Sequence, residues 1–382
     1  MKRGGGNGRI MPGLIDSTLR EGEQTAGVLF TLAQKIAIAE AVAAVGIEEI
    51  ELGIATTLNA ELPALIDACR GLSRRPRLAL WCRCRAEDIE CAARLQPDVL
   101  ALSLPASRRH VRKRLGKTYA WVLSCLRSSF RQARDLGLGY LSLGVEDASR
   151  AEPAFLEELI DEAVMAGARR LRLADTVGIM TPRETSALIG SCRRRHPNLE
   201  LAFHGHNDFG LATANALSAL ESGAEWADVT VLGLGERAGC ARLEEVVGLL
   251  TLVKKRQAYR VENLRALCRL VAEAAGRPVA ANHPLVGSAI FTCESGLHVQ
   301  GLLADPASYE PFPPERVNAS RTIQLGVKAG GRAMAAYCAR LGLTPPVKAL
   351  PTLVVKVRQR AKELGRPLLE TEIRGLLYPP GR

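Results

Sequence analysis

The sequence predicts a (β/α)8 barrel followed by a smaller, mostly helical C-terminal region. Three observations carry that reading. Short β-rich apolar runs alternate with longer runs of helical period, eight times in order. The eight pairs occupy roughly 240 residues, the usual span of such a barrel. No glycine-rich dinucleotide loop follows any of the runs, which removes the main argument for an open, doubly wound sheet.

The expected strands, in order, are Leu14–Leu19, Glu48–Gly53, Arg77–Cys82, Asp98–Leu104, Tyr140–Glu146, Arg169–Asp175, Leu199–His206 and Trp226–Leu234. Helical runs fall between them and carry their own stop signals. Ala33–Val45 stops at Gly46, Tyr119–Leu136 at Gly137, and Ala154–Met165 at Gly167, where glycine supplies a left-handed cap. Pro182 sits where a first-turn proline belongs, after Thr181 as N-cap. Past residue 256 the alternation stops. A helical run, Val261–Ala275, gives way to the Pro- and Gly-rich stretches Arg277–Gly301 and Pro306–Pro314. The pattern divides the chain into a basic, glycine-rich floppy tail over 1–10, a barrel over 11–258, and a linker with a lid-like region over 259–382, to which the resemblance given below adds a role in dimerisation.

Bulk composition narrows the function. Of 382 residues, 47% are hydrophobic, 24% charged and 4% aromatic, as in an ordinary soluble protein. No apolar stretch reaches the length of a membrane span, and the N-terminus lacks the apolar run of a signal peptide, so a cytoplasmic protein is expected. The 10 cysteines are scattered and form no C-x-x-C pair, which points to reduced, buried thiols. The net charge of +11 includes clusters at 108–114 and 193–195. Such charge suits polyanionic small molecules or a solvated helix face. Nucleic acid is the weakest reading, because no aromatics interleave the arginines.

In a barrel of this kind the site lies at the C-terminal ends of the strands. Arg20-Glu21-Gly22-Glu23-Gln24 follows the first strand, and Glu146-Asp147 ends the fifth. Asp175-Thr176 ends the sixth, His204-Gly205-His206-Asn207-Asp208 the seventh, and Gly233-Leu234-Gly235-Glu236-Arg237 the eighth. Titratable residues therefore concentrate on one rim. His204 and His206 are two apart on a strand and point to the same face. Two imidazoles with a nearby carboxylate make a metal site open to substrate. The carboxylate is Glu21 or Asp16: Glu21, just past the strand, is the better placed, and Asp16 suits orienting a ligand.

These motifs resemble a known family. Asp16-Ser17-Thr18-Leu19-Arg20-Glu21-Gly22-Glu23-Gln24 looks like the signature of the DRE-TIM metallolyase superfamily. His204–Asp208, Gly233–Gly239 and Ser295-Gly296-Leu297-His298 resemble its synthase branch, which makes 2-isopropylmalate, citramalate and homocitrate. The resemblance runs from Leu14 to Gly330. It implies a divalent metal (Mn, Mg or Zn) on Glu21, His204 and His206. It implies catalytic roles for Arg20, Glu146 and His298, and substrate contacts from Arg20, Gln24, Glu146 and Thr176. His298 would come from the C-terminal region of a partner subunit in a homodimer. The substrates implied are acetyl-CoA and a 2-oxo dicarboxylic acid. Gln24–Val28 and Glu146–Arg150 are similar to the homocitrate-forming members of nitrogen fixation, whose product is a ligand of the nitrogenase iron–molybdenum cofactor. The chain's end at Arg382 leaves no room for the regulatory domain of most 2-isopropylmalate synthases, and this favours the homocitrate reading. A lyase of the same superfamily is disfavoured by the segment around His298. Arg85 and the 108–114 cluster are candidates for the substrate's second carboxylate. Two departures stand out. Cys240 occupies a position that is Asn in many members, where it can be a fourth metal ligand. Leu325-Gly326-Val327-Lys328-Ala329-Gly330 lacks the histidine common there.

Overall fold

Every apolar run expected as a strand forms one. In the computed structural model, β1 (Gly13–Asp16), β2 (Glu49–Ile54), β3 (Arg77–Arg83), β4 (Val99–Pro105), β5 (Leu141–Glu146), β6 (Arg170–Asp175), β7 (Glu200–Gly205) and β8 (Trp226–Val229) are joined in sequence order. Each pairs in parallel with the next, and β8 returns to β1, aligning Ile15 with Asp228 and closing the barrel. The structure describes residues 13–344 and 347–378. The tail expected over 1–10 lies outside the described residues.

Strand alternation puts charge inside the barrel. In β2, Glu49 and Glu51 alternate with Ile50 and Leu52, and all four are buried. In β6, Arg170 and Arg172 alternate with Leu171 and Leu173 in the same way. A strand's side chains alternate between faces, so the charged set of each strand shares one face. The two sets meet across the barrel. Arg170 donates to both oxygens of Glu49 at 2.6 and 3.0 Å, and Arg172 reaches Glu51 at 2.5 Å. Charges this deep persist because each has a partner.

The helices α1 (Leu32–Val45), α2 (Leu62–Arg70), α3 (Ala86–Leu95), α4 (Tyr119–Asp135), α5 (Pro153–Met165), α6 (Pro182–Arg195), α7 (Ala212–Glu221) and α8 (Leu243–Gly248) come after the strands in turn. Local sequence sets their ends. Thr31 and Gln34 form a reciprocal capping box on α1, and Thr181 and Glu184 form one on α6, with Pro182 in its first turn. Gly46 ends α1 with φ +101°, and a Cβ there would lie 2.9 Å from the Ala258 carbonyl oxygen, so only glycine fits.

Three boundaries differ from the sequence reading. β1 stops at Asp16, not Leu19, because the Ser17 carbonyl then accepts the N–H groups of Arg20, Glu21 and Gly22 and turns the chain. β8 stops at Val229, not Leu234, because Leu232 and Gly233 adopt left-handed backbone, with φ +59° and +67°. The chain divides at Val279 rather than at residue 258. The helix α9 (Leu264–Ala274) packs on α1, and Arg260 N–H donates to the Val45 carbonyl at 2.8 Å, so this stretch folds with the barrel.

The second unit, Ala280–Arg382, is mostly helical, as expected. A small parallel pair, β9 (Thr292–Cys293) and β10 (Thr322–Ile323), accompanies α10 (Gly296–Ala304), α11 (Gly331–Arg340), α12 (Leu350–Leu364) and α13 (Glu370–Leu377). Val299, Leu325, Met334, Cys338, Val357 and Ile373 form its own core. The segment 325–330 is built into that core: Leu325 bridges to Leu368, Ala329 is fully buried, and Arg358 donates to the Ala329 carbonyl at 2.7 Å. Among the described residues no helix is long and apolar enough to cross a membrane.

Candidate active site

The turn after β1 presents Arg20 and Glu21 at the barrel mouth. Asp16 builds that turn, accepting from Thr18 N–H at 3.2 Å and from Thr18 Oγ1 at 2.8 Å. It is fully buried, and burial pushes its carboxyl up to about 7. Asp16 therefore shapes the loop, and Glu21 is the carboxylate that meets the histidines.

His204 lies on β7 and His206 one residue past its end. Their Nε2 atoms are 3.3 Å apart, and the oxygens of Glu21 lie 3.9 Å from His204 Nε2 and 3.8 Å from His206 Nε2. Asp228 on β8 holds His204 Nδ1 at 2.9 Å, which keeps a proton on Nδ1 and leaves Nε2 as an acceptor. Burial, and then the neighbouring His204, push His206 down to about 4, so it is an uncharged donor at neutral pH. For Glu21, burial opposes ionisation, but the Arg20 guanidinium beside it outweighs that and holds the carboxyl below its ordinary range. An ionised carboxylate beside imidazole nitrogens suits a divalent cation. The ligating atoms of Glu21, His204, His206 and Cys240 all lie within 4.8 Å of one another, and all four residues are buried.

A charged network orients this group. Arg20 pairs with Glu21 and donates its Nε to Glu51 at 2.6 Å. Glu51 also accepts from Ser17 Oγ at 2.7 Å and from Arg172 at 2.5 Å. Arg172 reaches on to Asp228 at 3.2 Å, which closes the path back to His204. Burial opposes ionisation of Glu51, but Arg172 and Arg20 pull it down to about 2.

The group opens into a cavity of about 240 Å³. Arg20, Glu21, Gln24, Glu146, Thr176, His204 and His206, all singled out from sequence, line it together. With its amide nitrogen toward Glu21, Gln24 donates to both carboxylate oxygens at 3.2 Å. Thr176 Oγ1 accepts from Asp147 N–H at 2.8 Å. Glu146 accepts from Ser103 Oγ at 3.2 Å and from Arg114 at 2.5 Å. Burial raises its carboxyl, yet the nearby His110 and Arg114 outweigh that and hold it below its ordinary range, so Glu146 is an acceptor and not an acid. His298 belongs to the second unit, on α10, with its ring 4.6 Å from that of Tyr309.

Of the two candidates for a second carboxylate, Arg85 and the 108–114 cluster, the cluster reaches the cavity through Arg114. Arg85 does not; it stands at the N-terminal boundary of α3. Sequence reading missed Ser103, Trp81, Glu51, Arg172 and Asp228. The last three had a legible signal: a charge at a position where a strand faces the barrel interior.

The HMGL-like family profile matches residues 11–271, most of the chain. The chain belongs to the HMGL-like family. A second profile, homocitrate synthase post-HMGL domain-like, matches residues 285–364 of this HMGL-like protein. A homocitrate synthase of Frankia alni is 42% identical over 84% of this chain and 91% of its own length. A 2-isopropylmalate synthase of Caldanaerobacter subterraneus subsp. tengcongensis is 38% identical over 94% of this chain and 93% of its own. A 2-phosphonomethylmalate synthase of Streptomyces rubellomurinus is also 38% identical, over 92% and 94%. These relatives are condensing synthases, and this chain is an enzyme of that acyl-transferring type. Among solved structures, the HMG-CoA lyase of Bacillus subtilis superposes with a TM-score of 0.62 at 22% identity, over 71% of this chain and 95% of that one. That likeness concerns the fold.

Proposed function

We propose that this chain condenses acetyl-CoA with 2-oxoglutarate, giving homocitrate and free CoA. One observation carries the proposal: a single cavity holds the Glu21, His204 and His206 donor group together with Arg20, Ser103, Arg114 and Thr176. β4 and β5, which carry or precede Ser103, Arg114 and Glu146, stand across the barrel from β1 and β8. A 2-oxo dicarboxylic acid has a keto acid at one end and a carboxylate at the other, and this cavity offers charge to both.

Glu21, His204 and His206 would hold the metal, and a divalent cation bound there acts as a Lewis acid toward the keto carbonyl. Mn²⁺, Mg²⁺ and Zn²⁺ are each compatible with mixed nitrogen and oxygen ligation. Arg20 is fixed through Nε and Nη1, which leaves Nη2 to meet negative charge as it develops on the keto oxygen. Arg114, which also pairs with Glu146, supplies a cation to the distal carboxylate, and Thr176 a hydroxyl proton; that carboxylate would otherwise be buried unpaired. We assign His298 the proton transfer at the acetyl methyl group, delivered from a partner subunit of a homodimer. The carbanion so formed attacks the keto carbon, and water then cleaves the thioester and makes the condensation irreversible. Mixing Arg20→Ala and His298→Ala chains under subunit exchange should restore activity; no recovery despite proven exchange would remove the shared site.

The same chemistry on a monocarboxylic 2-oxo acid, as in 2-isopropylmalate or citramalate formation, is the second reading. Trp81, Gly144 and Ala174 on the cavity wall favour it, since a short alkyl tail could pack there. Steady-state thiol release with 2-oxoglutarate, 2-oxoisovalerate, pyruvate and oxaloacetate separates the two. We expect 2-oxoglutarate to lead by about tenfold or more in kcat/KM, roughly 1.4 kcal/mol of discrimination. A lead for 2-oxoisovalerate would end the homocitrate reading. We further assign the product to nitrogenase cofactor assembly. Disruption of the coding sequence should then abolish growth on dinitrogen, with rescue by added homocitrate.

A further inference from the structure

We infer that Cys240 is a fourth protein donor to the metal site, binding as a thiolate, and that the site consequently selects a thiophilic cation such as Zn²⁺ over Mg²⁺. This rests on the metal-binding part of the reading above, not on the choice of substrate.

The backbone places this sulfur deliberately. Cys240 is 2% exposed, and its N–H donates to the Gly233 carbonyl at 3.1 Å. It pairs with His206 in an isolated antiparallel bridge, flanked by a bond from Asn207 N–H to the Gly239 carbonyl at 2.8 Å. Two glycines make the wrap possible. A Cβ on Gly239 would lie 1.8 Å from the Gly233 oxygen, and one on Gly235 would lie 3.0 Å from the Cys240 sulfur. The sulfur is thus held between Gly235 and the His206 ring, with Sγ 3.9 Å from Nδ1.

An ordinary buried cysteine is the competing account. Cys69 and Cys192 fit it, lying on the buried faces of α2 and α6. Cys240 instead joins a carboxylate and two imidazoles whose ligating atoms lie within 4.8 Å of one another. Metal–ligand bonds of about 2.0 to 2.3 Å place the donors of one tetrahedral ion roughly 3.3 to 3.8 Å apart, so this group, whose atoms lie within 4.8 Å of one another, needs to draw together by only about an ångström to meet one ion. The four donors are therefore gathered on the scale of one coordination shell.

Ligand chemistry then decides which ion. Binding would send the thiol proton to solvent, and the Glu21 carboxylate and Cys240 thiolate would together balance a charge of two. A set of two nitrogens, one oxygen and one sulfur suits Zn²⁺, whose coordination can expand to five and so would still admit a keto oxygen. Mg²⁺ demands octahedral oxygen ligation and gains little from sulfur.

The test uses the full-length protein without substrate, stripped of metal by a chelator and titrated with Co²⁺, Zn²⁺ or Mg²⁺. The Co²⁺ form should show a near-ultraviolet sulfur-to-cobalt charge-transfer band that is absent from Cys240→Ser and Cys240→Asn. Zn²⁺ affinity should fall by at least about tenfold in both variants, while Mg²⁺ affinity holds or rises in Cys240→Asn, which substitutes an oxygen donor. Circular dichroism of each metal-free variant shows that it is folded. A parent Co²⁺ complex with no sulfur band, together with unchanged Zn²⁺ affinity in the folded variants, would overturn the inference and leave Cys240 as a neighbour of the His206 ring. Because no turnover is measured, this outcome is independent of which 2-oxo acid the enzyme uses.

Discussion

Glu51 joins the catalytic rim to the barrel interior, and Glu51→Gln tests that joint. The carboxylate is fully buried and accepts from Arg20 Nε at 2.6 Å, Arg172 at 2.5 Å and Ser17 Oγ at 2.7 Å. Glutamine keeps the shape but removes the charge, and its amide NH2 then faces a guanidinium. Removing one member of a buried ionic group costs about 3 to 5 kcal/mol. Against its burial, the guanidiniums of Arg172 and Arg20 push the Glu51 carboxyl from an ordinary 4.5 down to about 2. The folded state thus binds the proton more weakly than the unfolded chain. That stability is fully present above pH 4.5 and is lost as pH falls toward about 2. In urea denaturation followed by circular dichroism, Glu51→Gln should lose about 3 kcal/mol at pH 7, and the gap to the parent should shrink in acid. Arg20 also loses the anchor of its Nε, and turnover should fall by about a hundredfold, since a small misplacement of an orienting group is costly. A variant within about 0.5 kcal/mol of the parent, with turnover intact, would refute the claim that this network is held by charge and positions Arg20.

Asp228→Asn removes the carboxylate that holds His204 Nδ1 at 2.9 Å, so divalent metal affinity should drop about 10- to 100-fold by isothermal titration. Unchanged affinity would show that Asp228 does not set the His204 tautomer. Arg114→Ala should reduce kcat/KM for 2-oxoglutarate by about tenfold or more and leave 2-oxoisovalerate nearly unaffected; an equal loss for both would assign Arg114 a structural role. Asp16 carries the opposite pH signature from Glu51, because burial raises its carboxyl from 3.8 to about 7. Its contribution is fully present below pH 3.8 and is lost as pH rises through about 7, so the parent should weaken relative to Asp16→Asn across that window by about 4 kcal/mol. Parallel stability curves for the two proteins would show that Asp16 titrates as it does in the unfolded chain.

Much of the fold and the site was legible in the linear sequence, for local reasons. Strand and helix period, the capping residue Thr181 and the stop at Gly46 act over a few residues, and each appears where it was expected. The metal-capable residues Glu21, His204 and His206 were legible because a barrel delivers its strand ends to one rim. The ends of β1 and β8 were not, because apolar residues continue past the point where backbone hydrogen bonds turn the chain. Segment 259–279 looked separate because its helical period resembles that of the C-terminal helices; its packing on α1 is a contact across more than two hundred residues.

The sequence by itself determined the barrel, the rim and the family of chemistry, because these depend on periodicity and on motifs whose members lie close together in the chain. Only the tertiary structure decided that Asp16 serves the loop while Glu21 serves the site, that Arg114 and not Arg85 faces the cavity, and that the Cys240 sulfur joins the donor group. The placing of Glu21, Arg114 and Cys240 depends on distances of a few ångströms between side chains far apart in sequence. Closing the barrel sets such distances, and pattern along a chain does not encode them.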